Sequence, residues 1–212
     1  MIFFPFKKRI KESLKTSKSR GFTLVELLVT VVIFVVLTGV VLFSQTNFDN
    51  SILLSNLAYD VGLTVRQAQT YGVNVKEFST STTGTFSMPY GVYFDITKGG
   101  NNKSFILFAN TVNDTKFSGE WTCYSDDIEC VQKYTIKKGS YISGLCAGTN
   151  SSNCSSSNTL SILFQRPYPD ANIYVGDELK TYNYAEITVS SADGSATKTI
   201  VVTKAGQIYV AK

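Results

Sequence analysis

No histidine occurs in this chain of 212 residues. That absence removes Ser-His-Asp and Cys-His nucleophile arrangements and every metal site built on imidazole, and with them most hydrolytic mechanisms. A phosphate-cradling glycine loop between a strand and a helix is also missing, and no internal repeat is evident. Ser195-Ala196-Thr197-Lys198 has the serine-lysine spacing of penicillin-binding enzymes. It follows a tight turn and begins a strand, whereas that motif should open a helix and have companion motifs. Asp126, Asp127 and Glu129 lack the oxygen-ligand spacing and the glycine of a calcium loop and read as a solvated acidic loop. No enzyme activity, cofactor or metal is expected.

A basic surface is lacking too, although the whole chain carries +4. Lys7, Lys8, Arg9, Lys11, Lys15, Lys18 and Arg20 stand against Glu12 alone, so the first twenty residues hold +6 and the remainder −2. The electrostatic attraction that dominates DNA affinity is therefore not evident in the body of the protein. Nucleic-acid binding would have to rest on Lys198, Lys204 and Lys212 and is the less favoured alternative.

What is present is a basic leader that turns abruptly into an apolar run from Phe22 to Phe43, broken only by Thr23, Glu26, Thr30, Thr38 and Gly39. At about 1.5 Å per residue it spans roughly 33 Å, enough for a bilayer core of about 30 Å. Basic residues lie before it and none follows until Arg66, which predicts a cytoplasmic N-terminus and an external C-terminal part. The run is too long for the apolar segment of a cleaved secretory signal and has no small-residue cleavage site after it. A simple signal anchor accounts for the length but not for Glu26, since a carboxylate at the bilayer centre costs about 2.5–3.5 kcal/mol. A cut after Gly21 would give Phe22 a terminal ammonium one helical turn from Glu26, so the carboxylate could meet its own terminus or that of a neighbouring subunit.

Gly21-Phe22-Thr23-Leu24-Val25-Glu26-Leu27-Leu28-Val29 resembles the class III signal of type IV pilins and pseudopilins. The resemblance implies cleavage by a prepilin peptidase between Gly21 and Phe22, N-methylation of Phe22, and Glu26 as the carboxylate needed for assembly. The implied partners are that peptidase, other pilin or pseudopilin subunits and the membrane, crossed once. The stretch LAYDVGLTVRQAQTYGVNV is similar to the helix end of the GspH and FimT group of minor pilins and pseudopilins, with Arg66 and Ala68 at the matching positions. In members of that group that take up DNA, basic residues lie near the C-terminus. Here Gly206 is followed by Gln207.

Beyond the span, Leu54, Leu57, Ala58, Val61, Val65 and Ala68 recur at three and four residues and predict an amphipathic continuation of the same helix. It should end near Tyr71-Gly72, with a loosened turn allowed at Gly62. Alternating segments then predict strands at GVYFDI, SFILFA, KYTIKK, TLSILFQ, AEITVS, KTIVVT and QIYVA. Lys98-Gly99-Gly100-Asn101-Asn102 suits a hairpin between the first two, and Asp193-Gly194 is the strongest hairpin signal. Single-face sets (Leu160, Ile162 and Phe164; Ile187 and Val189; Ile200 and Val202; Ile208 and Val210) should pack over the outer half of the helix.

Cys123, Cys130, Cys146 and Cys154 form an even set in an exported region and predict two disulfides; of three possible pairings, neighbour with neighbour is the simplest. Their spacing is not that of a zinc site. The polar region from about 120 to 158 is expected to form long disulfide-tied loops, with Trp121, Tyr124, Tyr134 and Tyr141 packing beneath them rather than forming a binding face.

The expected fold is α+β: a leader over 1–21, a long helix over 22–72 that is transmembrane over about 22–44, and an antiparallel β-rich external domain over 73–212. The expected function is a structural subunit of a type IV pilus or type II secretion-like pseudopilus, held in the inner or cytoplasmic membrane and then built into a surface or periplasmic filament. The alternative is a pilus-tip protein for DNA uptake or adhesion.

Overall fold

A computed structural model describes residues 21–74, 76–79, 84–85, 88–97, 101–112, 114–124 and 127–211. The basic leader, residues 98–100 of the first expected hairpin, Asp126 and Lys212 lie outside the described residues. Two compact units divide between residues 45 and 46. The described part of the first is apolar helix, and the second is an α+β unit.

Helix α1 runs Leu24–Val73. In the second unit it buries Leu54, Ala58, Val61, Val65 and Ala68, which are at most 1% exposed. Two short strands follow, β1 (Phe78–Ser79) and β2 (Gly84–Thr85), paired with each other. Next come β3 (Tyr90–Asp95), a 3-10 turn at Asn101–Lys103, β4 (Ser104–Ala109), β5 (Cys130–Thr135) and β6 (Tyr141–Asn150). The remaining strands are β7 (Asn153–Ser157), β8 (Thr159–Phe164), β9 (Ala171–Tyr174), β10 (Tyr184–Ser190), β11 (Thr197–Thr203) and β12 (Ile208–Ala211). They form two antiparallel five-stranded sheets, in the orders β12-β11-β10-β6-β7 and β5-β4-β3-β8-β9.

The main core joins the α1 stripe to one face of each sheet: Val92, Phe94, Phe105, Leu107, Leu160, Ile162 and Phe164 from one, Ile187, Val189, Ile200 and Val202 from the other. Each fully buried large apolar side chain contributes about 1.5–3 kcal/mol relative to exposure. The other face of the β5-β4-β3-β8-β9 sheet is buried as well. There Tyr93, Ile106, Phe108 and Leu163 meet Phe117 and Trp121 from the β4–β5 connection. This second cover explains why β4 reads SFILFA without alternation, since both of its faces are dry.

The structure corrects the expectation of long loops over 120–158, because β5, β6 and β7 occupy most of that stretch. The Ser-rich β7 is an edge strand that is largely exposed, so polar side chains are compatible with pairing there and blunt the open edge. Its hairpin turn is fixed by Asn150, whose Oδ1 accepts the Asn153 N–H at 2.9 Å. Gly148 of β6 has a steric cause: a Cβ there would lie 1.8 Å from the Asn153 carbonyl oxygen. KYTIKK is shifted as well, since β5 starts at Cys130 and ends at Thr135. The Asp193-Gly194 turn does join β10 to β11, with Ser190 opposite Thr197.

Candidate processing and assembly site

Gly21 and Phe22 precede the first helical residue and are exposed. Thr23 is the N-cap: its Oγ1 accepts the Glu26 N–H at 3.2 Å and its carbonyl accepts the Leu27 N–H at 3.1 Å. Thr23-Leu24-Val25-Glu26 thus has the spacing of a capping box, which places Glu26 at the third helical position. Four N–H groups at a helix start lack partners, and a carboxylate in that first turn is stabilised by about 0.3–1 kcal/mol. The sequence reading missed Thr23, although the Thr-x-x-Glu spacing signals it.

Leu24–Leu42 is a run of 19 residues with mean hydropathy 2.8, long and apolar enough to cross a membrane. Its apolar side chains are exposed almost throughout. The polar groups inside it are satisfied within the helix: the Thr30 hydroxyl donates to the Leu27 carbonyl at 2.9 Å and the Thr38 hydroxyl to the Phe34 carbonyl at 2.7 Å. Such internal bonding is what an apolar solvent demands. Among the described residues Glu26 has no comparable sink for its charge, and it sits near the end of the span, where the cost is below that at the centre.

The family model for the prokaryotic N-terminal methylation motif matches residues 16–42. The chain carries a type IV pilin-like class III signal. The signal implies processing by a prepilin peptidase and assembly with pilin subunits, and a structural rather than a catalytic protein. No curated protein and no solved structure matches the chain.

Farther along, Cys123 is bonded to Cys130 and Cys146 to Cys154. The second bond ties β6 to β7, and Glu186 lies beside it with a carboxylate oxygen 3.7 Å from the Cys146 sulfur. With both thiols consumed, that trio does not offer a thiolate metal site.

The acidic loop differs from expectation. Glu129 is fully buried rather than solvated. Its Oε1 accepts the N–H groups of Thr111 and Val112 at 3.2 and 3.3 Å, and its Oε2 accepts that of Ser118 at 2.8 Å. Asp127 accepts the N–H groups of Glu120, Glu129 and Cys130 at 2.8–3.1 Å. Two carboxylates therefore organise the β4–β5 connection by taking up backbone donors that water would otherwise serve.

The expected aromatic residues divide. Trp121 packs edge-on against Tyr93 and donates from Nε1 to Ser104 Oγ at 3.2 Å, while Tyr134 stacks on Phe105. Tyr141 is half-buried, whereas Tyr124 is exposed. Burial pushes Tyr93 up to about 12, with the nearby carboxylates of Asp95 and Asp177 adding to the shift.

At the end of α1, Arg66 Nη2 reaches the Ile208 carbonyl at 3.5 Å, and Ala68 is fully buried. Gln69 Nε2 donates to the carbonyls of Pro169 and Gly206 at 2.9 and 3.0 Å. Lys198 is half-buried in β11 and Lys204 lies exposed in the turn after it.

Proposed function

We propose that this chain is a minor pilin or pseudopilin, made as a membrane-anchored precursor, cut after Gly21 and methylated on the new terminal Phe22. The carrying observation is the methylation-motif match over residues 16–42, which takes in the capped apolar helix from Leu24 to Leu42. Before assembly the helix holds the protein in the inner or cytoplasmic membrane, with the leader inside and the β-rich unit outside. On assembly it exchanges lipid for the helices of neighbouring subunits, and Glu26 meets a Phe22 ammonium, which sets the axial register. The helix end around Arg66 and Ala68 supports placement in the GspH and FimT group.

Mass spectrometry of the N-terminus of the chain from native membranes and sheared filaments tests the reading. A chain beginning at methylated Phe22 is expected, and an intact Met1 in assembled material refutes it. Glu26→Ala should leave export and cleavage intact and abolish recovery in filaments.

A further inference from the structure

The connection from β9 to β10 is tied to both sheets. Tyr182 N–H donates to the Ile173 carbonyl of β9 at 2.9 Å, and Asn183 N–H donates to the Gly148 carbonyl of β6 at 3.0 Å. The Asn183 carbonyl accepts the Lys204 N–H at 2.8 Å, and the Tyr182 hydroxyl donates to Glu178 at 2.8 Å, which holds the ring. The β6–β7 hairpin is tied as firmly, by the Cys146–Cys154 disulfide and by the Asn150–Asn153 bond described above. A cleft of about 170 Å³ lies between this connection and the hairpin. With both walls fixed, little ordering entropy remains to be lost when a ligand enters.

Hydrogen-bonding side chains dominate the lining: Thr149, Asn153, Ser155, Thr181 and Asn183. All five are exposed, and among the described residues none of these side chains has a hydrogen-bond partner within the chain. Each hydroxyl or amide can both donate and accept. The lining carries one charge, Lys180, whose Nζ stands 5.1 Å from the centroid of the Tyr182 ring. That contact favours the ammonium in place, and among the described residues it has no carboxylate within ion-pair distance. Glu178, two residues away, is engaged by Tyr182 and does not line the cleft.

We infer that this cleft binds one ring of a saccharide bearing a carboxylate, a hexuronic acid unit, with Lys180 meeting the carboxylate and the hydroxyl and amide side chains meeting the ring hydroxyls. A sugar hydroxyl donates and accepts as those side chains do, so both halves of each are used. A phosphate only accepts and would leave their acceptor halves idle. Nucleic acid needs a run of cations, and the cleft offers one. A peptide needs apolar anchor pockets, and besides Tyr182 the lining offers only Ala147 and Gly148. The volume is below the about 300–1,000 Å³ of sites for drug-sized ligands, which limits the fit to a single ring. The inference goes beyond the proposed function and does not depend on it, because it concerns a surface of the second unit alone.

The test titrates the full chain, held in a detergent without a sugar headgroup, with a glucuronate-terminated disaccharide and with its glucose-terminated counterpart in a calorimeter. Saturable binding of the glucuronate probe at about 1 mM or tighter is expected, with the glucose probe weaker by about threefold or more. Lys180→Gln should remove that preference, and Asn183→Ala should weaken both probes about three- to tenfold. A melting temperature within about 2 °C of the wild type shows that a variant has kept its fold, and Thr181→Ala replaces Asn183→Ala if the latter misses that limit. No saturation by about 10 mM, equal affinity for the two probes, a preference that survives Lys180→Gln, or a wall variant without effect overturns the inference. Retention of the chain on immobilised envelope polysaccharide of the producing cell, set against retention on a glucuronate polysaccharide from another source, separates the cell's own surface from a contacted one. Retention on neither overturns the inference. Any of these failures leaves the test of N-terminal processing untouched.

Discussion

Replacing Glu129 with alanine should destabilise the external unit by about 3 kcal/mol. The side chain is fully buried and accepts three backbone N–H groups, from Ser118 at 2.8 Å and from Thr111 and Val112 at 3.2 and 3.3 Å. A hydrogen bond to a charged group contributes about 1.5–3 kcal/mol, and the two longer ones, sharing a single oxygen, count together as one more. The gross loss is then about 3–6 kcal/mol, and water reaching the exposed Ser118 and Val112 brings it toward the lower end. For a unit of this size 1 kcal/mol moves the melting temperature by about 2–4 °C, so a fall of about 6–12 °C is expected. Trp121 is the single tryptophan and covers the neighbouring face of the sheet, against Tyr93. Its fluorescence during thermal unfolding of the detergent-solubilised chain therefore reads the loss directly. Glu129→Gln keeps one acceptor oxygen but turns an NH2 toward a backbone donor, and should cost about 1–2 kcal/mol. A melting temperature within about 1 °C of the wild type for Glu129→Ala would refute the assignment of the carboxylate as the organiser of this connection.

Gly206→Ala should cost about 2–4 kcal/mol in the same assay, because φ is +77° and a Cβ would lie 2.3 Å from the Pro169 carbonyl oxygen and 2.5 Å from Gln69 Nε2. Cys146→Ser with Cys154→Ser should cost about 2–3 kcal/mol by releasing a short loop, and limited proteolysis should then cut in the β6–β7 hairpin first. Asp193 is held down at about 2 by hydrogen bonds from the Ser191 hydroxyl and from the backbone and hydroxyl of Ser195. Its depressed folded value means that its contribution is present above the unfolded value near 3.9 and is lost as pH falls through about 2. Asp193→Asn should therefore flatten the acid limb of the stability profile between about pH 4 and pH 2, measured by urea unfolding.

The parts of this fold that are legible in the sequence are those in which one local pattern has one physical cause. The three- and four-residue recurrence from Leu54 to Ala68 is a buried helix stripe, and Asp193-Gly194 is a turn because a residue with φ of +72° is needed there. Strands β6 and β7 escape notice because their composition answers to neighbours far along the chain. Gly148 is small to let the Asn153 backbone approach, and the serines of β7 are polar because that strand closes a sheet at an open edge. The β9 residues ANIY also follow Pro167 and Pro169, which mask the start of a strand.

Glu129 and Glu26 show the same limit from opposite sides. In sequence Glu26 stands inside a long apolar run, whereas Glu129 closes a short acidic stretch that reads as solvated. Folding surrounds Glu129 with backbone donors from residues 111, 112 and 118, so its charge is answered within the chain and its role is structural. Thr23 caps the first turn at Glu26 and the helix end favours a negative charge there, yet the side chain stays exposed on an apolar span. Exposed on that span, Glu26 is the carboxylate that the proposed assembly with a neighbouring subunit would use, whereas Glu129 organises the β4–β5 connection.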